Sequence, residues 1–467
     1  MPTWEMLLND QRRKDAAKEK KDEKPKSIET RTETERDHDR ILFSTPVRRL
    51  ADKTQVFPLE PNDSVRTRLT HSHEVSNLAR SIGTNLAFNH QIGRPAKNYE
   101  RNVPATLAAI GLSHDLGNPP FGHQGETAIQ QWFQKNKTLL AGLTPAMRYD
   151  FLKFEGNAQT FRLITRLQLL NDNFGLDLTY GTLAGLLKYT VPSNVANKKS
   201  LIAGCRKHGF FQSEKDIVND VWKHTGLKEG MRHPLAYVME ACDDIAYSVL
   251  DAEDAVKKGL ASFYDLMAFL EHDAKQDADT LHICSESRNK NVEYRTVELS
   301  PAELNDVSMQ RFRVFSIARM VPSVSKTFLR CLPKIMSGTL QGDLISNSSS
   351  ERFCSRLKKF DMKHAYRNRS VLKIELEGYT VIQYLMTFLW RAISEREDPS
   401  KLNSKRTSPF ANYVYNLISE NYRRVAEDPN NKMPLRYREL QLMTDMVSGM
   451  TDGFAVSLHK ELHEYAR

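Results

Sequence analysis

Three short segments of this sequence concentrate side chains of the kind that hold divalent metal ions. Arg68-Leu69-Thr70-His71-Ser72-His73-Glu74-Val75 carries two histidines, Gly111-Leu112-Ser113-His114-Asp115-Leu116-Gly117-Asn118 an adjacent His-Asp, and Glu240-Ala241-Cys242-Asp243-Asp244-Ile245-Ala246-Tyr247 two aspartates. At about 100° per residue on a helix, His71 projects with Val75, Leu78 and Ile82, whereas His73, about 200° away, faces outward. His71 is therefore the buried candidate. His114 and Asp115 close an apolar run, and burying both is costly unless they are paired or metal-bound. In the third segment Asp243, Tyr247, Leu250, Asp251 and Asp254 step at helical intervals and put carboxylates and a tyrosine on one face. Taken singly, each feature is more ordinary: a core histidine, a chance dipeptide, an acidic solvated face. Taken together, two imidazoles and two carboxylates suit a cation of intermediate hardness, Mn²⁺ or Mg²⁺ with Fe²⁺ as a further option, and zinc ranks lower without a thiolate. Such an ion polarises phosphoryl oxygens, activates water and templates a substrate.

Helices must position these groups, and the pattern from about 40 to 270 is helical. Val75, Leu78, Ala79, Ile82 and Leu86 step by three and four; Leu107, Ile110 and Leu112 run into a helix stop at Gly117-Asn118-Pro119-Pro120; Tyr237 to Val256 reads as one long helix. Thr3 is placed to cap a short helix over 3–13, with Trp4, Leu7 and Leu8 as its apolar stripe. Residues 11–40 mix Lys, Arg, Glu and Asp densely and predict a solvated helix or flexible arm. Strand signals are few: Val292 to Val297, and Val371 to Val381 broken at Gly378. Residues 273–291 and 346–352 are polar and predict surface loops. Asp428-Pro429-Asn430-Asn431 precedes a last predicted helix, roughly 435–466. The expected fold is all-α, a helical bundle with additional C-terminal helices and at most short β-hairpins. Its expected parts are a charged N-terminal helix or arm (1–40), a core (41–270), and a helical C-terminal part (271–467).

Composition narrows the setting. The chain has 467 residues, 67 Lys plus Arg against 58 Asp plus Glu, hence a net charge of +9. That permits a polyanionic partner without requiring one. With 40% hydrophobic and 27% charged residues, collagen, disulfide scaffolds and wholly disordered chains are excluded. Cys205, Cys242, Cys284, Cys331 and Cys354 are widely spaced, with no CxxC pair, which argues against a disulfide framework and a Cys-based zinc site. The first residues lack the apolar core of a secretory signal. The longest apolar run, VIQYLMTFLW at 381–390, is far short of the roughly 20 residues a membrane helix needs. The expectation is a cytoplasmic protein with no membrane partner.

The order His, His-Asp, Asp is similar to that of the HD-domain metal-dependent phosphohydrolases. The strings RILFSTPVRRLADKTQVF, RTRLTHSHEV, GLSHDLGNPPFGHQGE, FEGNAQTFRL, GLLKY, EACDDIAYSVLDAEDAV and SGMTDGFA resemble more narrowly the deoxyguanosine triphosphate triphosphohydrolase (dGTPase) family. The likeness covers most of 36–260 and recurs at 370–385 and 435–463. It implies an all-α HD fold with 41–270 as the phosphohydrolase core and 271–467 completing the nucleotide pocket and an oligomer interface. It also implies hydrolysis of a dNTP, dGTP favoured, to deoxynucleoside and intact triphosphate, with control of dNTP pools as the role.

Carried over position by position, the resemblance implies His71, His114, Asp115 and Asp243 as metal ligands, Asp243 being preferred to Asp244 because Tyr247 follows four residues later. It implies His123 and Glu126 as the catalytic pair; at i, i+3 on a helix, Glu126 can orient His123, which then serves as acid or base where the 5′-oxygen leaves. Gln55 and Val56 are implied to border the nucleoside. Arg68, Lys188 and Tyr189 are implied on the phosphates, with Lys207 or Arg206 as a third basic group, and Asn157 in support. Tyr247 and Asp251 are implied to read the sugar 3′-OH, the tyrosine ring under C2′ disfavouring ribose. Tyr366 and Glu375 are implied on the guanine side. The arginine that enterobacterial members use for guanine has no clean equivalent within 404–424, where Arg406, Arg423 and Arg424 are the candidates. The implied partners are the dNTP, further copies of the chain (hexamer or tetramer), and single-stranded DNA as an effector. Two other functions compete: an HD-type hydrolase acting on another nucleotide or on single-stranded DNA, and a nucleic-acid-binding dNTP sensor without turnover.

Overall fold

The computed structural model describes residues 1–17, 29–59, 62, 64–168, 172–272, 274 and 277–465, and over these the fold is all-α. Strand-like pairing among the described residues is limited to isolated bridges such as Thr54 with Thr67. The helices that position the site are α1 (Arg68–His90), α2 (Tyr99–Ser113), α3 (Gly122–Lys135), α4 (Pro234–Lys257), α5 (Pro301–Met336), α6 (Glu351–Asp361), α7 (Arg369–Ser394), α8 (Leu435–Gly449) and α9 (Asp452–Tyr465).

The α1 helix starts where the Thr67 hydroxyl accepts from the Thr70 amide, and it stops at Gln91 in the left-handed region. Its buried face is His71, Val75, Ala79, Ile82 and Leu86, a three-four stripe whose large aliphatic members each contribute on the order of 1.5–3 kcal/mol on burial. This face packs on α2, and glycines set how closely. A Cβ at Gly83 would fall 2.6 Å from Leu107 Cδ1, and one at Gly111 2.8 Å from Ser76 Cα. The α4 helix is buried along most of its length, with Pro234 at its first position, where a missing amide costs nothing. It packs against α1, α2, α5 and α6, so it is the post around which the others stand.

The C-terminal half differs from the sequence expectations in three places. Val371 to Val381 is not a strand but the first half of α7, whose buried positions Val371, Gly378, Val381, Ile382, Leu385 and Leu389 follow helical spacing. Gly378 belongs in that helix because the Phe121 ring lies against it: a Cβ there would sit 2.4 Å from Phe121 Cγ. The polar stretch expected as a loop over 273–291 forms the helix Ala278–Tyr294, with Thr280, Ile283, Cys284, Ser287 and Asn291 buried; Val292 lies in its last turn rather than opening a strand. Its inward face is partly polar, which hides the amphipathic signal; residues 273, 275 and 276 lie outside the described residues. The single helix expected over 435–466 is two, α8 and α9, broken at Met450-Thr451, and residue 466 lies outside the described residues. The 346–350 stretch is a run of turns, as expected, and α6 begins at Glu351.

Among the described residues, part of the N-terminal segment is packed against the core rather than solvated. The helix expected over 3–13 spans only Trp4–Leu7, followed by a second at Arg13–Ala16. Arg12 is 3% exposed and donates to Glu33 and to Asp37, which is itself fully buried. Leu7 and Ile41 are part of the core. The mixed charges pair both within the segment, as Arg31 does with Glu29, and with later parts of the chain, as Lys14 does with Asp172 and Arg40 with Asp177, while Arg31 and Lys14 stay partly exposed. Residues 18–28 of that charged stretch lie outside the described residues. No described helix is long and apolar enough to cross a membrane.

Candidate active site

The end of α2 faces the first turn of α1 and the middle of α4, and the groups from these three elements converge. His71, His114 and Asp115 each offer a ligand atom within 4.8 Å of the others. Asp243 joins them: its Oδ1 lies 3.2 Å from His71 Nε2 and 3.5 Å from His114 Nε2. The two imidazole centroids are 5.6 Å apart. His114 Nδ1 is 2.7 Å from the Gly111 carbonyl oxygen, which fixes that nitrogen as the donor. Nε2 therefore points into the cluster, buried and without a hydrogen-bond partner among the described residues. That orphaned nitrogen fits a metal ligand. His73 is exposed on the opposite side of α1, and Asp244 turns away to pair with Lys358.

The charges around the cluster are strongly coupled. Burial alone would raise both carboxylates, but His114 and Arg68 hold Asp115, and Lys188 and His114 hold Asp243, well below the usual carboxylate range. Burial alone would lower His114, yet Asp115 and Asp243 push it up to about 9. The set demands positive charge, which a proton or a cation can supply. Arg68 forms an ion pair with Asp115, and Lys188 Nζ lies 3.2 Å from Asp243 Oδ2 and 3.9 Å from Glu240. Asn118 steadies Asp115 by donating to Oδ1 at 2.8 Å.

Beside this cluster, α3 opens with two left-handed residues, Phe121 and Gly122, and a Cβ on Gly122 would lie 3.2 Å from Arg68 Nη2. His123 follows. Its ring is 86% exposed, and Nδ1 lies 3.2 Å from Glu126 Oε2. The Glu126 hydrogen bond raises the imidazole above its ordinary value. Glu126 itself is buried, and its Oε1 accepts from the Gly156 amide at 2.7 Å. Two further groups meet here. Lys207 Nζ lies 2.9 Å from Glu155 Oε2, and burial together with the Glu126 charge pushes Glu155 up to about 7. Asn157 stands half-buried in the same short helix, Gly156–Arg162. Tyr189, half-buried beside Lys188, turns its ring toward the Arg232 guanidinium at 5.9 Å.

A third group lies two turns along α4. Tyr247 stacks on Tyr366 with centroids 5.9 Å apart, and the Tyr366 hydroxyl donates to Asp251. Val56 packs with Phe57, Val65, Ala255, Ala365 and Val371 in a small apolar cluster that Tyr366 borders. Gln55 is half-buried, and its Oε1 has no hydrogen-bond partner among the described residues. Glu375 on α7 accepts from Gln124 at 3.4 Å. Of the remaining candidates, Arg206 donates to the Ser200 carbonyl and stands 4.0 Å from Asp343. Arg406 and Arg423 lie over the Tyr415 ring, and Arg424 pairs with Glu420.

Several residues at these three places carried no sequence-level role. Glu155 and Asp452 sit inside quoted motifs, so the motif was the available signal. Asp361 had none: it is fully buried at the end of α6, with both carboxylate oxygens unpartnered among the described residues. Its neighbour Asp251 adds to the burial that raises it well above the usual carboxylate value.

Comparison with known proteins bears on the same region. The HD domain family matches residues 68–177, a span that includes His71, His114, Asp115, His123 and Glu126 and ends before Asp243. The chain is 36% identical to a deoxyguanosinetriphosphate triphosphohydrolase-like protein of Listeria monocytogenes, over 98% of this chain and 99% of that one. It is 34% identical to a protein of the same description from Synechocystis, over 92% and 94%. It is 31% identical to the deoxyguanosinetriphosphate triphosphohydrolase of Yersinia enterocolitica, over 94% and 96%.

Proposed function

The chain belongs to the deoxyguanosinetriphosphate triphosphohydrolase family of HD-domain phosphohydrolases, and on that premise we propose that it cleaves a dNTP into deoxynucleoside and inorganic triphosphate, with dGTP the favoured substrate and dNTP-pool control the role. The observation that carries this is the convergence of His71, His114, Asp115 and Asp243, flanked by Arg68 and Lys188 and adjoining the His123–Glu126 pair.

Members of the family are metal-dependent, and the four ligands of this chain suit Mn²⁺ or Mg²⁺, with Fe²⁺ a further option. A divalent ion bound there supplies charge neutralisation and Lewis acidity at the phosphate. Arg68, Lys188, Tyr189 and Lys207 hold the anionic tail by charge-assisted hydrogen bonds. Glu126 orients His123, and His123 moves the proton at the 5′-oxygen. Tyr247 packs under C2′ and leaves no room for a ribose hydroxyl, while Asp251 accepts from the 3′-OH. Gln55 and Val56 border the nucleoside, and Asn157 supports the phosphate end. Tyr366 and Glu375, with Gln124 beside it, face the base; Arg406 and Arg423, engaged with Tyr415, leave the base preference to them. Most of the acceleration comes from positioning and preorganised charge.

We also take the helices after residue 270 to complete the pocket and to form the contacts of a homo-oligomer, hexamer or tetramer. Single-stranded DNA is a candidate effector and the cytoplasm the candidate setting. The deciding experiment incubates the purified protein with each dNTP and Mn²⁺, singly and mixed, and separates the products. Deoxynucleoside accumulating with tripolyphosphate supports the proposal. Release of pyrophosphate or orthophosphate, or no turnover with any dNTP alone or in mixtures, overturns it.

A further inference from the structure

The motif SGMTDGFA occupies the break between α8 and α9, and none of the roles above uses it. Its aspartate, Asp452, is 1% exposed and opens α9. The carboxylate is spent in two directions. Oδ2 accepts from the Thr54 amide at 3.0 Å and also from the Thr54 hydroxyl. Oδ1 accepts from the Phe121 amide at 3.0 Å. A second tie lies alongside: Lys53 Nζ donates to the Ser448 carbonyl at 2.7 Å and to the Asn118 carbonyl at 2.6 Å. Two segments far apart in the chain, 53–54 and 118–121, are thus fastened to one helix junction.

What stands next to those segments gives the fastening its meaning. Thr54 is followed by Gln55 and Val56, and its carbonyl accepts two hydrogen bonds from Arg68, the partner of Asp115. Phe121 has φ +60° and Gly122 φ +55°. Left-handed backbone at a bulky residue persists only where the surroundings hold it. Here the holders are the Asp452 carboxylate on the amide and α7 on the ring, which leaves no room for a Cβ at Gly378. The next residue is His123.

We propose that Asp452 is a positioning residue that fixes the spacing between the nucleoside-bordering segment Lys53–Val56 and the start of α3, which carries His123 and Glu126. The inference rests on the roles given above to Gln55, Val56 and His123. Only a carboxylate can accept on both oxygens from two amides that approach from different segments; an amide side chain accepts on one.

The test uses the full-length protein and D452N, which is nearly isosteric, with D452A as the larger perturbation. Amide hydrogen exchange is read at Thr54 and Phe121, Mn²⁺ affinity is measured without nucleotide, and steady-state kinetics are run with all four dNTPs. D452N is expected to speed exchange at least tenfold at Thr54 or Phe121 while α8 stays protected. Its kcat is expected to fall tenfold or more with a raised KM, and Mn²⁺ affinity to stay within twofold. Unchanged exchange at both amides, or kcat and KM within twofold for every dNTP, overturns the proposal. So does a kcat loss that matches a loss of folded fraction at constant KM, because that is a merely structural effect. If the wild-type protein turns over no dNTP, the functional reading fails, and the exchange measurement still decides whether Asp452 clamps the two segments.

Discussion

Glu126→Gln separates the two jobs of one side chain. Oε1 accepts from the Gly156 amide at 2.7 Å, and Oε2 faces His123 Nδ1 at 3.2 Å. A glutamine carbonyl can keep the first bond. Its amide nitrogen then meets Nδ1 with a proton of its own, so Nδ1 must accept, Nε2 must carry the hydrogen, and the imidazolium loses its counter-charge. General acid–base catalysis is worth about 10²–10⁴-fold. Because the His123 ring is 86% exposed, water can partly replace the lost partner, which places the loss at the lower end. The expected fall in kcat is about 100-fold, or about 2.7 kcal/mol. The pH profile carries the sign. The Glu126 hydrogen bond raises His123 above its ordinary value, so the protonated ring persists to higher pH in the wild type. Removing that bond lets the proton leave earlier, and the alkaline limb of kcat moves to lower pH. The assay is deoxynucleoside release from saturating dNTP with Mn²⁺ between about pH 6 and 9, together with the cycle of Glu126→Gln, His123→Ala and the double variant. Residues acting as a unit are non-additive, so the double variant should be no slower than His123→Ala. A kcat within threefold of wild type, or an alkaline limb that does not move, refutes the assignment.

His114→Ala should abolish both Mn²⁺ binding and turnover, whereas His73→Ala, two residues beyond His71 on the exposed side of α1, should keep both; calorimetric titration with the ion and a turnover assay read the two, and equal losses contradict the division of faces. Arg12→Ala leaves Asp37 buried without its cation, which typically costs about 3–5 kcal/mol. Denaturant unfolding should show that loss as a lower midpoint, and a change under 1 kcal/mol would mean that the N-terminal segment is not tied down as described.

Helical periodicity made α1 and α4 legible, and with them the distinction between His71 and His73, since apolar residues at three-four spacing leave only one side for the core. It failed where partners from elsewhere in the chain dictate the outcome. The β-branched residues and Gly378 of α7 look like a broken strand until Phe121 is placed against that glycine. The charged N-terminal residues look solvated until Arg12 and Asp37 are seen to face each other across 25 residues. The candidate site divides in the same way. Motifs pointed to His71, His114, Asp115 and Asp243, which the fold brings together. Lys207 with Glu155, Lys53 with Asn118 and Ser448, and the buried Asp361 depend on chain crossings that no local pattern encodes.

The pairing of charges at the cluster constrains how its ligands must bind. Arg68 neutralises Asp115 and Lys188 neutralises Asp243, yet the same two cations are, with Lys207, proposed for the triphosphate. Neither can serve a carboxylate and a phosphate in full. A divalent ion held by Asp115 and Asp243 relieves both cations of their carboxylate partners, so they meet an anionic tail with more of their charge uncommitted. Conversely, a tail that draws Arg68 and Lys188 away leaves the carboxylates more negative and more receptive to the ion. The two affinities must therefore rise together and by the same factor, because coupling between binding sites is reciprocal. Typical coupling is about 1–3 kcal/mol, or about 5–150-fold. The His114→Ala protein, expected to lack the ion, supplies the control: its nucleotide affinity should not respond to Mn²⁺. Titrating a non-hydrolysable dNTP analogue with and without Mn²⁺, and Mn²⁺ with and without the analogue, measures both sides of the cycle. An analogue affinity that is the same with and without Mn²⁺, and a Mn²⁺ affinity that is the same with and without the analogue, would mean that Arg68 and Lys188 stay with their carboxylates and that other residues hold the triphosphate.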